Sequence, residues 1–289
     1  MWNMNQNEEK TEDTGVQKDE IEQKEEKNKE VEEKDKSTEP KDMEKISKEK
    51  EEKKTRDYIY LVDNYPFGFP TDRISRFESI INRSIADLEV KTVHYTRFNK
   101  KEAEESVGVI LSGSSNNVSD LYFVDHLKKR YDPQLEFIRN DEDTPILGVC
   151  FGHHLVAYAF GADVNRMRIP GLGGRINFIL LKETDDIITR KNIPVNSHHR
   201  DFLSPNDIRL RENFNILSVS TNKRYKIVQY LRHKEKPIYA VQFHPETHTG
   251  TYFHANHFEE RIVTKTKTEG EQIIENFLWQ CKYKKQKES

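Results

Sequence analysis

The sequence predicts an α/β fold: a doubly wound, mostly parallel sheet with helices on both faces and a small antiparallel β extension. Three observations carry this. From Asp57 onward, short apolar runs alternate with stretches of helical spacing, the pattern of a parallel sheet covered on both faces. Pro145-Ile146-Leu147 leads into Gly148-Val149-Cys150-Phe151-Gly152-His153 and then an apolar helical stretch, the strand, turn and helix of a nucleophile elbow. After Gly161 the text turns to strand-like runs with little helix between them.

Taken in order, Tyr58 to Val62 reads as a first strand ending in Asp63-Asn64, and Thr71 to Ala86 as a helix with its N-cap at Thr71. Val90 to His94 is a second strand. Gly108 to Leu111 is a third, ending in Ser112-Gly113-Ser114-Ser115, and Ser119 to Arg130 spaces Leu121, Val124 and Leu127 as one helical face. Ile146 to Val149 is the fourth strand and delivers Cys150. Arg175 to Leu181, Phe214 to Ser220, Lys226 to Leu231 and Ile238 to Phe243 are expected to make an antiparallel edge or a small second layer that brings His244 back to Cys150. Gly270 to Tyr283 closes the chain as a helix with Ile273, Ile274, Phe277 and Leu278 on one face. Sites in such sheets lie outside the carboxyl ends of the strands, where the Ser-Gly loop and Cys150 both fall.

Composition divides the 289 residues. Charged residues make up 34% of the chain, and the excess sits before Asp57. Residues 1–56 hold too few apolar groups to offset the entropy of ordering, so they read as a disordered Lys/Glu-rich tail. The folded domain is expected over 57–283, followed by a short basic tail, 284–289. A net charge of -3 without a basic, aromatic-interleaved stripe argues against nucleic-acid binding. No apolar run reaches membrane-spanning length. Two cysteines, Cys150 and Cys281, exclude a disulfide scaffold and point to a reducing, cytoplasmic setting.

The chemistry sits in two distant segments. Cys150 is placed at the N-terminus of a helix, whose free amide groups and dipole favour a thiolate and later an oxyanion. Tyr239-Ala240-Val241-Gln242-Phe243-His244-Pro245-Glu246 ends a strand in a histidine and a carboxylate two residues apart. Side chains two apart on an extended segment point the same way, so Glu246 orients His244, and His244 takes the thiol proton. Cys281, within an amphipathic helix, reads as packing. His153, His154, His198 and His199, with His248, His254 and His257 beyond, make no closed set of metal ligands. Gly171-Leu172-Gly173-Gly174 lacks the Lys and Ser/Thr of a phosphate-binding loop and reads as a turn.

These residues resemble the class I glutamine amidotransferase family. The likeness runs through Leu61-Val62-Asp63-Asn64, Leu111-Ser112-Gly113, the elbow from Pro145 to His153, Ser197-His198, the strand from Pro237 to Glu246, and Glu275-Asn276-Phe277. It implies hydrolysis of the glutamine side-chain amide through a Cys150 thioester, with His244 moving the proton and Glu246 orienting it. It also implies an oxyanion hole from the backbone at Phe151 and at Gly113-Ser114, and substrate contacts from His154, Ser197 and His198. Neither metal nor cofactor is implied. Within the resemblance the substrate is glutamine or a γ-glutamyl compound, and the ammonia passes to a separate ATP-dependent synthetase of the GMP-forming kind.

Three positions depart from the family pattern. Ser114 stands where a glycine is usual and is expected to adopt a backbone conformation that favours glycine. His154 replaces a glutamine that helps hold the substrate amino acid. Ser197-His198-His199-Arg200-Asp201 is one residue longer than the usual Ser-His-x-Asp. Two alternatives stay open at this point: a γ-glutamyl peptidase or hydrolase, and a non-catalytic relative acting as a regulatory module.

Overall fold

Alternate residues of the first strand, β1 (Asp57–Asp63), enter two different cores. In this computed structural model, which describes residues 57–168, 172–247 and 259–288, Ile59 and Leu61 pack with Phe77, Ile274, Phe277 and Leu278 on one face. Tyr60 and Val62 pack with Tyr131, Leu155 and Val156 on the other. This period of two, fed by helices on both sides, is what a doubly wound sheet requires. The segment read as a disordered tail and the residues Gly171, His248, His254 and His257 lie outside the described residues.

The main sheet adds β2 (Leu88–His94), β3 (Gly108–Leu111), β4 (Ile146–Val149), β9 (Phe214–Asn222), β10 (Tyr225–His233) and β11 (Ile238–Val241) in the order β2-β1-β3-β4-β11-β10-β9. From β2 to β11 every pairing is parallel, and β10 and β9 extend the edge antiparallel. β3, β4 and β11 are buried at every residue, as central parallel strands covered on both faces should be. Two ribbons lie apart from this sheet: β5 (Val164–Arg166) with β8 (Asp201–Leu203), and β6 (Leu172–Leu180) with β7 (Asn192–His199). Gly173 and Gly174 thus begin a strand. β5, β7 and β8 have no counterpart in the sequence reading. β7 carries Pro194 and a run of polar residues, and only the tertiary packing buries it.

The helices also shift from their expected bounds. The first, α1 (Arg73–Ser84), starts after Asp72, and the Thr71 hydroxyl accepts from the Arg73 amide at 3.2 Å. α2 (Lys100–Glu105) caps on Asn99. The helix expected over Ser119 to Arg130 is instead a 3-10 turn, Val118–Tyr122, followed by α3 (Asp125–Asn140). Helical phase is lost at the front because Asp201 takes both the amide and the hydroxyl of Ser119. It continues past Pro133 because Tyr131, Leu135 and Ile138 keep the buried stripe. α4 (Phe151–Ala159) follows the elbow, and α5 (Ile208–Asn213) precedes β9.

The last helix, α6 (Glu260–Glu288), begins ten residues before the expected Gly270 and runs past Tyr283 into the segment read as a basic tail. Glycine inside a helix costs about 1 kcal/mol relative to alanine, which argues for a boundary there. Here the helix backbone needs that glycine, because a β-carbon at Gly270 would collide with the Pro245 carbonyl. Close approach to the His244-Pro245-Glu246 segment thereby overrides the local preference.

Candidate active site

β4 and β11 are parallel neighbours with Val149 opposite Val241, so the chain leaves both strands at the same end. Cys150 follows β4 and donates its amide to the Val241 carbonyl at 2.8 Å. Residues 242–246 follow β11, where the His244 amide is tied to the Asn196 carbonyl at 2.9 Å. The ends of β1 and β3 complete the rim: the Ser112 hydroxyl accepts from the Asn64 amide, and the Asn64 side chain donates to the Ser112 carbonyl.

Cys150 sits at φ 53° and ψ -93°, directly before α4. A non-glycine residue there costs on the order of 1–3 kcal/mol, which the packing of the strand and the helix must supply. Such a turn holds the thiol above the sheet and against the first turn of α4, whose free amides begin at Phe151. The sulfur also lies 3.6 Å from the His198 carbonyl.

The Nδ1 of His244 is 2.7 Å from a carboxylate oxygen of Glu246, and both side chains are buried. Burial and the nearby Arg73 push the His244 pKa down, whereas Glu246 and the charge and hydrogen bond of Cys150 push it up and prevail, to about 9. Glu246 resists burial for the matching reason, its pKa lowered by the imidazole and by Arg73. The pair therefore favours a carboxylate beside an imidazolium.

Gly113 makes room for this histidine. A β-carbon at Gly113 would stand 2.8 Å from Cε1 of His244 and 3.0 Å from the Tyr65 hydroxyl. Ser114 does not adopt the glycine-like backbone expected of it: among the described residues, positive φ at non-glycine positions occurs at Cys150 and Lys223. Its hydroxyl instead donates to the Asn64 carbonyl at 2.6 Å and accepts from the Asn116 amide, which holds the loop without left-handed backbone.

A cavity of about 470 Å³ opens over the elbow. Cys150, Phe151, Ser114, His154 and His198 line it. Ser197 does not. It is buried in β7 opposite Arg175, and the cavity is reached by its neighbour His198. His154 is tethered at Nε2 to the Gln242 side chain, 2.7 Å away, and burial holds its pKa below the usual value against the pull of Asp201. His198 is pushed down to about 4 by burial, Arg73 and His244.

The glutamine amidotransferase class-I family matches residues 71–263, about two thirds of the 289 residues. The chain belongs to the class I glutamine amidotransferases. The amidotransferase is 31% identical over 228 residues to the glutamine-hydrolysing GMP synthase subunit from Methanosarcina acetivorans, covering 77% of this chain and 96% of that one. It is 29% identical over 185 residues to the corresponding GMP synthase subunit from Methanocaldococcus jannaschii, covering 63% and 77%. A solved glutamine amidotransferase from Thermotoga maritima shares the fold, with a TM-score of 0.55 and 15% identity over 78% of this chain and 98% of that one.

Two residues bear on the candidate site beyond those to which the sequence reading gave a role. Asp201 belongs to the lengthened Ser-His segment, and its carboxylate accepts from the Ser119 amide and hydroxyl, both at 2.8 Å, and from Arg166 at 3.3 Å. It ties the cavity wall at β8 to the turn after β3. Arg73 is 6% exposed in the first turn of α1, with Nη1 3.1 Å from the Tyr65 hydroxyl and 3.0 and 2.8 Å from the two ring nitrogens of His244. Nothing in the local sequence distinguishes it from Arg76 and Arg83 of the same helix, which are half-buried and exposed. Among the described residues no helix is long and apolar enough to cross a membrane, and no cluster of three metal-ligating side chains forms.

Proposed function

We propose that the protein hydrolyses the side-chain amide of glutamine, with Cys150, His244 and Glu246 as the reacting set, and passes the ammonia to a separate ATP-dependent synthetase. The observation that carries this is the convergence of a strained thiol at a helix N-terminus with a buried, carboxylate-paired imidazole on the segment that follows the adjacent parallel strand. The Cys150 thiolate attacks the amide carbon, forming the S–C bond, and the oxygen is held as an oxyanion by the amides of Phe151 and the Gly113-Ser114 turn. Such donors are commonly worth about 3–4 kcal/mol of transition-state stabilisation. The His244 imidazolium gives its proton to the amide nitrogen, the C–N bond breaks, and ammonia leaves a thioester. Water then gives a proton to His244 and attacks the same carbon, releasing glutamate and restoring the thiolate and imidazolium.

The relatives named as glutamine-hydrolysing GMP synthase subunits support GMP formation as the acceptor reaction, in which this chain supplies ammonia to a partner synthetase. His154, tethered to Gln242 at the cavity wall, supports a second reading in which the preferred substrate is a γ-glutamyl amide other than glutamine. Ammonia release is measured from glutamine, with and without an ATP-dependent GMP-forming synthetase, beside release of amines from γ-glutamyl peptides. Glutamine turnover that rises with the synthetase supports the first reading, and turnover confined to γ-glutamyl peptides supports the second. If Cys150→Ala retains wild-type turnover, both fail.

A further inference from the structure

The mechanism asks His244 both to hold a proton and to release it. Glu246 at 2.7 Å and Cys150 favour the imidazolium, inside a site from which water is largely removed. Together these neighbours would bind the proton of one buried imidazolium too tightly for a general acid, whose strength is best matched to the working pH. The group opposing them is Arg73. Its Nη1 is nearly equidistant from both ring nitrogens, at 3.0 and 2.8 Å. The Tyr65 hydroxyl and the His198 Nδ1 hold the guanidinium there at 3.1 and 3.2 Å, and its Nε is 4.0 Å from Glu246.

We infer that Arg73 is a positioning residue that weakens the hold of His244 on its proton, so that the proton can be handed to the departing ammonia. The inference rests on the glutaminase reading for its consequence and on this geometry for its cause. It draws support from the direction in which Arg73 moves the ring, which is toward the neutral form. The groups facing His244 are few. Arg73 and Tyr65 come from α1 and the loop before it, Cys150 from the elbow, His198 and His199 from β7, and Glu246 from its own segment. Where α6 packs behind Pro245, Glu269 and Glu271 pair away from the site, with Arg190 and Arg83. His198 and His199 are held neutral, at about 4 and about 3. That leaves Arg73 as the cation, among the described residues, that opposes a charged ring.

The test is the titration of His244 in the full-length protein, followed by NMR of labelled histidine, together with the pH profile of ammonia release, for wild type, Arg73→Met and Arg73→Lys. In Arg73→Met the His244 midpoint and the alkaline limb of the profile should both move up by on the order of one unit. In Arg73→Lys both should return toward wild type, since the charge is restored. A residue that only supported the fold would lower the plateau at every pH and leave both midpoints in place, and that result overturns the inference. So does a Met variant that moves down. If Arg73→Met does not fold, Arg73→Gln takes its place: a His244 midpoint that moves up supports the inference, and one that stays in place or moves down overturns it. Failure of the glutaminase reading is distinct, since it appears as absent ammonia release in wild type while the His244 titration remains measurable.

Discussion

Nη1 of Arg73 stands 2.8 Å from Nε2 of His244, although 171 residues separate the two in the chain. A guanidinium and an imidazole repel when both are charged, so this contact is held by the groups around it: Tyr65, Glu246 and Cys150 raise the Arg73 pKa against the opposing effect of burial. The relationship places a positive charge beside the imidazole proposed to take up and release a proton. It also makes the surroundings of His244 sensitive to small displacements, which the following predictions use.

Gly113→Ala should cut glutamine turnover by at least about tenfold while leaving the fold in place. The added methyl group would stand 2.8 Å from Cε1 of His244, inside the distance that real β-carbons keep, so the ring must move. A displacement of that size at a reacting group is commonly worth about 10²-fold. Steady-state ammonia release, with circular dichroism as the control for folding, checks it.

Cys150→Gly should unfold at a higher temperature than Cys150→Ala. Alanine keeps the β-carbon that makes φ 53° costly, and glycine removes it, a difference of about 1 kcal/mol. Thermal melts of the two inactive variants at one pH measure it. Equal midpoints would show that the elbow is not strained.

Stability should fall as the pH drops below 6.5. His198 and His199 have folded-state pKa values of about 4 and about 3, each depressed first by burial, and His153 is also held well below its usual value. The unfolded chain therefore binds protons that the folded chain refuses, and stability declines from pH 6.5 down through these values. His244 has the opposite sign: its raised pKa contributes stability that is complete below 6.5 and is lost as the pH rises through about 9. Neither ring nitrogen of His153 has a hydrogen-bond partner among the described residues, so His153→Leu should stabilise the protein, by about 1–3 kcal/mol and more at pH 5 than at pH 8. Denaturant melts at the two pH values test the sign.

His154→Gln should raise kcat/KM for glutamine relative to γ-glutamyl peptides, by roughly 10-fold. The substitution replaces a ring anchored on Gln242 with the amide that the resemblance implies at this place in the cavity wall. Parallel assays on both substrates measure the ratio, and an unchanged ratio would remove His154 from substrate selection.

Much of this protein is legible in one dimension. Pro145 to Gly152 encodes a strand, a sharp turn and a helix locally, because each depends on neighbouring residues: an apolar run, small residues at the turn, and helix formers after it. His244 and Glu246 are likewise a local pair, two residues apart on extended backbone. β3 and β4 read clearly because burial on both faces leaves continuous apolar runs, whereas β11, read with the antiparallel part, is parallel to β4 because its partner lies far away in the chain.

Tertiary structure decided the rest, for one physical reason: burial of polar groups is determined by partners far away in the chain. β7 is a strand because β6 and α6 cover it, Ser197 turns away from the cavity while His198 faces it, and Gly270 lies mid-helix because the Pro245 carbonyl leaves no room for a side chain. Arg73 shows this most plainly. On its own helix it is one arginine among several, and only the folded chain, which packs α1 on α6 and β2, brings its charge to the ring of His244.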